Sequence, residues 1–203
     1  MDVSTEGYIE RIGTRLREQK PESLLYAALE LRSAVEGRMK YYLAPLEHIP
    51  KAQRNEWSVA KLGKSLNKIF QLDDHLALIT IYLPESSEHF TLRYVPVSTR
   101  LQRIASRLGD WLHFSGGRAE EGAWWSELQD LLEEGILWLE YASSSDLQGL
   151  PLLNSKTKQI SMIATLRNGD ARAEQFKRLS LGAVHCIDVD YQPISTKIAK
   201  VET

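Results

Sequence analysis

The apolar positions recur at helical spacing over most of the first 142 residues, and the period shortens to two in a few places. Ile9, Ile12 and Leu16 set a first helix over Val3–Lys20, with Ser4 as its N-cap. Pro21–Leu43 carries the strongest helical pattern. Pro21 suits the first helical position and Pro45 blocks continuation. Leu24, Ala28, Leu31, Val35, Met39 and Tyr42 make one stripe, which Leu25 and Leu29 widen. Arg32 and Glu36 fall inside that widened arc as i, i+4 partners, which predicts a partly buried ion pair. A connector at Leu46–Asn55 leads to a third helix over Trp57–Phe70, capped by Ser58, with Leu62, Leu66, Ile69 and Phe70 inward.

The period then changes. Ala77–Leu83 and Phe90–Val97 are rich in β-branched and aromatic residues and predict a β-hairpin inserted between helices. Helical spacing returns in Ser98–Gly117. Leu101, Ile104, Ala105, Leu108, Trp111 and Leu112 share one face, and the pair Gly116–Gly117 stops the helix. Arg118–Ala142 is a long amphipathic helix in which Gly135 predicts a close helix–helix approach. Ser143–Ser155 reads as a linker or long turn. Beyond it come a strand at Gln159–Leu166, a short helix at Ala171–Leu179, a strand at Ala183–Tyr191 and a tail able to add an edge strand.

The expected fold is mainly α: an up-and-down helical bundle over 1–142 with an inserted β-hairpin at about 77–97, and a small α+β segment over 156–203. Composition changes this picture little. The net charge of -2 predicts no global attraction to nucleic acid or anionic membrane. The +8 and -6 charges from Asp146 onward, against +17 and -21 before it, make the end mildly basic and the body acidic. A single cysteine, Cys186, rules out a disulfide or a cysteine zinc cluster within these 203 residues. The start lacks a signal-peptide pattern and no stretch has the ~18 apolar residues of a membrane span, so a cytoplasmic protein is expected.

The chemistry gathers on the polar side of Ser98–Gly117. Arg107, Asp110 and His113 lie at i, i+3 and i+6, putting a cation, an anion and an imidazole on one strip. Histidine can move protons near neutral pH, and arginine can hold a phosphate through paired hydrogen bonds. RNA carries its own 2′-hydroxyl nucleophile, so its cleavage needs little more than such a set. The plainer reading is a solvated face with an Arg107–Asp110 surface pair.

Other features carry less. Lys61, Lys64 and Lys68 form a basic helix edge, read as solvated. Trp124, Trp125 and Trp138 have the spacing of core or interface residues rather than of a base-stacking platform. His75 and His89 flank the hairpin without a third ligand. Asp188 and Asp190 share a strand face with Cys186, and His185 points away from that face. Paired carboxylates can hold magnesium, but neither a glycine loop nor a third acid accompanies them.

Arg107, five residues and His113 fit the R-x4-6-H motif, and the setting resembles the HEPN-like superfamily. The long LYAALELRSAVEGRMKYYL helix precedes the helix ending in LGDWLHF, and a further amphipathic helix follows. Leu108 departs from the pattern, since active members commonly carry a polar residue after the arginine. The resemblance spans about residues 1–142. It implies a helical bundle, usually a symmetric dimer whose motif helices meet in a composite cleft. Its implied activity is that of a metal-independent endoribonuclease of toxin, defence or stress systems, with no cofactor and no metal. Arg107 would bind the scissile phosphate and His113 act as acid/base, with Asp110, Arg32 and Glu36 in support. RNA and an antitoxin-type protein are the implied partners. The alternative is a non-catalytic HEPN-like module binding RNA, nucleotide or protein, and a third reading is a plain interaction protein with an accidental motif.

Overall fold

The computed structural model describes residues 2, 4–47, 49–82, 88–113, 122–153, 160–166, 169–180 and 186–195. The expected stop at Gly116–Gly117, His185 and the tail from 196 lie outside these residues. The fold is mainly α, with a small antiparallel sheet. The described residues form two units: those of 1–73 and 97–143 with Ser195, and those of 74–96 and 144–194.

The first unit is helical. It contains α1 (Thr5–Glu18), α2 (Pro21–Leu43), the single turn α3 (Lys51–Arg54) and α4 (Val59–Phe70). After the residues of the second unit's first strands, β1 (His75–Tyr82) and β2 (His89–Tyr94), it resumes with α5 (Thr99–Leu112) and α6 (Gly122–Ser143). The caps explain several boundaries. Ser4 Oγ accepts the Gly7 N–H at 3.0 Å, and Pro21 opens α2. At α4 Ser58 is the N-cap, as expected, but its side chain makes no capping bond, and Glu56 steadies the turn before the helix. Its carboxylate accepts the N–H groups of Trp57 at 2.9 Å and Ser58 at 3.1 Å, which holds its pKa below the usual range.

Helix α2 is the hub, touching α1, α4, α5 and α6. Leu24, Ala28, Leu31, Val35, Met39 and Tyr42 are buried as the stripe predicts. The widening falls on the other flank from the one expected. Ala27 and Ala34 are buried, whereas Leu25 is half-buried and Leu29 is 51% exposed. Small residues let α2 accept neighbours on two sides, which a second leucine row would hold off. Gly135 serves the same end, because a Cβ there would run into Leu31 of α2 and Ile104 of α5. At the end of α6 the Ala142 carbonyl accepts from both Tyr42 Oη at 3.2 Å and Arg38 Nη2 at 3.1 Å.

The second unit adds β3 (Leu152–Leu153), β4 (Ile160–Ser161), α7 (Ala173–Ser180) and β5 (Cys186–Pro193) to β1 and β2. The main sheet has the order β2-β1-β5 and is antiparallel throughout. Ala77–Tyr94, Ile79–Leu92 and Ile81–Phe90 face each other across β1 and β2, and all six are buried. This changes the expected division of the chain. The hairpin strands group with the C-terminal segment, not with the helices, because β5 pairs along the whole length of β1.

Ser143–Ser155 is also less of a linker than expected. Asp146 N–H donates to the Arg93 carbonyl at 2.8 Å, and Ser145 Oγ accepts the Val95 N–H at 3.1 Å. The segment thereby covers part of the β2 edge. The strand expected over Gln159–Leu166 shrinks to Ile160–Ser161, with Ile160 and Ile163 50% and 44% exposed. An alternating pattern holds a long strand only where one face finds a core.

Candidate functional site on helix α5

Ser98 starts α5, its Oγ accepting the Leu101 N–H at 3.2 Å. Leu101, Ile104, Ala105, Leu108, Gly109 and Trp111 are buried, and Arg103, Ser106, Arg107, Asp110 and His113 are exposed. The three motif side chains therefore stand on the outward face, at about 100° per residue. Leu108 is fully buried, so the residue after the arginine is a core position here.

Arg107 does not form the expected surface pair with Asp110. Its guanidinium meets Glu127 of α6 at 2.5 Å. One heptad earlier on α5 and one later on α6, Arg100 holds Glu134 through two bonds of 2.6 and 2.7 Å. One turn beyond Arg107, Trp111 and Trp124 pack with ring centroids 4.0 Å apart, and Trp125 meets Trp124 edge-on at 4.5 Å. The helices thus run antiparallel with matched rungs of charge and aromatic contact. Arg100 lowers the Glu134 pKa, chiefly by hydrogen bonding to the carboxylate. The Arg107 and Glu127 side chains remain 51% and 56% exposed, so that rung is worth only about 0–1 kcal/mol.

His113 is the C-cap of α5, and its N–H donates to the Gly109 carbonyl at 3.0 Å. From Arg107 to His113 the helix rises roughly 9 Å and turns through about 120°. Asp110 lies between them on the exposed face.

Arg32 and Glu36 are not paired. Glu36 holds Lys40 at 2.5 Å, in the favoured order of acid before base at i, i+4, whereas Arg32 followed by Glu36 has the reverse order. Arg32 instead reaches α5, where its guanidinium lies against Gly109. A Cβ at that position would collide with Arg32 Nη1. The glycine thus lets a cation from α2 approach the backbone of the motif helix. Neither Gly109 nor Arg103, exposed one turn before Arg107, stands out in the sequence as a functional position. Spacing shows which face a residue takes, not what arrives from another helix.

The remaining chemical candidates separate. His75 and His89 lie at opposite ends of the β1/β2 pair, His89 facing Tyr82, roughly 23 Å along the strand from His75. Asp188 and Asp190 are exposed on one face of β5, opposite Thr80 and Leu78. Asp188 is the main cause of a raised Tyr82 pKa. Lys61 pairs with Glu56 at 3.2 Å, and Trp138 is buried. Among the described residues no cluster of metal-binding side chains occurs, and no helix is long and apolar enough to cross a membrane.

The sheet unit holds a cleft of about 430 Å³ lined by His89, Phe90, Thr91, Arg93, Asp146, Arg172 and Gln175. Arg172 bonds Asp146 at 2.8 and 3.2 Å and Asp170 at 2.7, 3.0 and 3.2 Å, and donates to the Thr91 carbonyl at 3.3 Å. These bonds raise the Arg172 pKa further and lower that of Asp170. One cation between two carboxylates leaves a single net negative charge, and here it ties segments together. Comparison with protein-family models, curated proteins and solved structures found no match for this chain.

Proposed function

We propose that this chain is a metal-independent endoribonuclease of HEPN type, an up-and-down helical bundle acting as a homodimer in the cytoplasm. The observation that supports the reading is the joint exposure of Arg107, Asp110 and His113 on α5, with Leu108, Gly109 and Trp111 turned inward. The RNA 2′-oxygen attacks phosphorus, and the bond from phosphorus to the 5′-oxygen breaks. The products are a 2′,3′-cyclic phosphate and a 5′-hydroxyl. His113 moves the proton, Arg107 stabilises charge on the phosphate oxygens, and Asp110 orients both. Arg32 and Glu36 support the site. A toxin, defence or stress role, with an antitoxin-type protein partner, belongs to the same reading. A second copy would supply the other wall of the cleft that an outward-facing strip lacks.

The test is cleavage of end-labelled RNA in EDTA by wild type, Arg107→Ala and His113→Ala. Activity that survives EDTA and drops at least a hundredfold in both folded variants is the expected result. Undiminished cleavage in both variants would remove α5 from the chemistry. The Arg107–Glu127 contact favours a second reading, a non-catalytic HEPN-like module binding RNA, nucleotide or protein through the same face. That module would bind its ligand without turnover.

A further inference from the structure

Arg32 is a partly buried cation on α2. Among the described residues it makes no ion pair and no side-chain hydrogen bond. The other partly buried arginines are engaged. Arg11 holds Glu30 at 3.0 Å, Arg38 the Ala142 carbonyl, Arg54 the Ile49 and Ala44 carbonyls, Arg93 the Ser144 carbonyl, and Arg172 its two aspartates. Glu36, the nearest acid along α2 at helical spacing, is taken by Lys40. A guanidinium without a protein acceptor keeps its donors free, so its place invites an anion.

That place is beside the proton-transfer group of the proposed site. Gly109 lies one turn before His113 on α5, about 40° round the helix from it, and Arg32 Nη1 rests where a Gly109 Cβ would stand. Residues at i and i+4 have Cβ positions about 6 Å apart, which puts the Arg32 guanidinium roughly that far from the base of the His113 side chain. Arg107 is about 160° around the helix from Gly109 and is held by Glu127. Arg32 is thus a second cation beside the proposed site, on the Gly109 side of α5.

We infer that Arg32, laid on Gly109, is a phosphate-binding residue of this site, gripping the RNA phosphodiester on which His113 acts. The inference rests on the endoribonuclease reading of α5. The planar guanidinium offers paired donors that match two phosphate oxygens, and Gly109 leaves room for it to stay level with the helix backbone.

The test uses binding, so that it can fail separately from catalysis. The full chain is titrated against a fluorescent 2′-O-methyl oligoribonucleotide, which lacks the nucleophile, in EDTA at several salt concentrations. Arg32→Gln should raise Kd at least tenfold and flatten the slope of log K against log salt by about 0.7, without lowering Tm. Arg32→Lys should lose less. Gly109→Ser should weaken binding by displacing the guanidinium.

Wild type that fails to bind, or Arg32→Gln that binds within twofold of wild type, would overturn the inference. So would equal losses in Arg32→Gln and Arg32→Lys with a lowered Tm, which would make Arg32 a packing residue. Inorganic phosphate should compete only at tens of millimolar; displacement at micromolar levels would replace RNA by free phosphate and also overturn it. Wild type that binds the probe but cuts no RNA would keep the Arg32 site and remove the nuclease reading. Wild type that cuts RNA, with KM unchanged in Arg32→Gln, would do the reverse.

Discussion

In the helical unit, α2 is held by leucines, alanines and a glycine-permitted approach at Gly135. In the sheet unit, the segments beside β2 are tied by one arginine between two aspartates. The first arrangement is mainly apolar. The second is a set of directed charged bonds between residues far apart in the chain, on a surface partly open to water. The contrast teaches why one half follows from periodicity and the other does not. A buried stripe repeats locally, while a charge network has no local spacing.

The two units can be watched separately, because all five tryptophans, at 57, 111, 124, 125 and 138, belong to the helical unit. The largest effect is expected from Leu31→Ala, which empties a fully buried position at the α2, α5 and α6 junction. It should cost about 2–5 kcal/mol and lower the midpoint seen by tryptophan fluorescence in urea. A midpoint unchanged from wild type would break the picture of α2 as hub.

Arg172→Ala should cost about 1–2 kcal/mol, discounted because the side chain is 40% exposed. The loss should appear as faster amide exchange in β2 and β5, with the tryptophan midpoint unmoved. The same variant sharpens the acid behaviour. The folded Asp170 pKa is depressed, so its contribution is present above about pH 4 and is lost as pH falls through the lowered value. Wild-type amide protection in β2 should therefore fall below pH 4, and Arg172→Ala should lack that step. An acid step of the same size in both proteins would detach the network from the sheet unit's stability.

The smallest stability effect is expected from Glu127→Gln, within about 0.5 kcal/mol for an exposed rung. It frees Arg107, and RNA affinity should rise two- to fivefold. Weaker binding in this variant would mean that Glu127 positions the arginine rather than competing for it.

The helices were legible because the stripe on Pro21–Leu43 and the inward face of Thr99–Leu112 repeat every three to four residues. The outward placement of Arg107, Asp110 and His113 followed from the same rule. Their partners did not. Glu127 comes from the next helix and Arg32 from an earlier one, and neither approach leaves a trace in local spacing. The grouping of β5 with the hairpin strands was hidden for a related reason. About a hundred residues separate β1 from β5, and a strand pattern names a face but not the neighbour it will pair with.

The most direct measurement of the central claim is single-turnover cleavage, in EDTA, of two oligonucleotides that differ only in the 2′-hydroxyl at the scissile position. The account predicts that the all-ribose strand is cut to a 2′,3′-cyclic phosphate and that the strand with one 2′-deoxy position resists at that linkage. Equal cutting of both strands, or cutting that appears only when magnesium is restored, would contradict it.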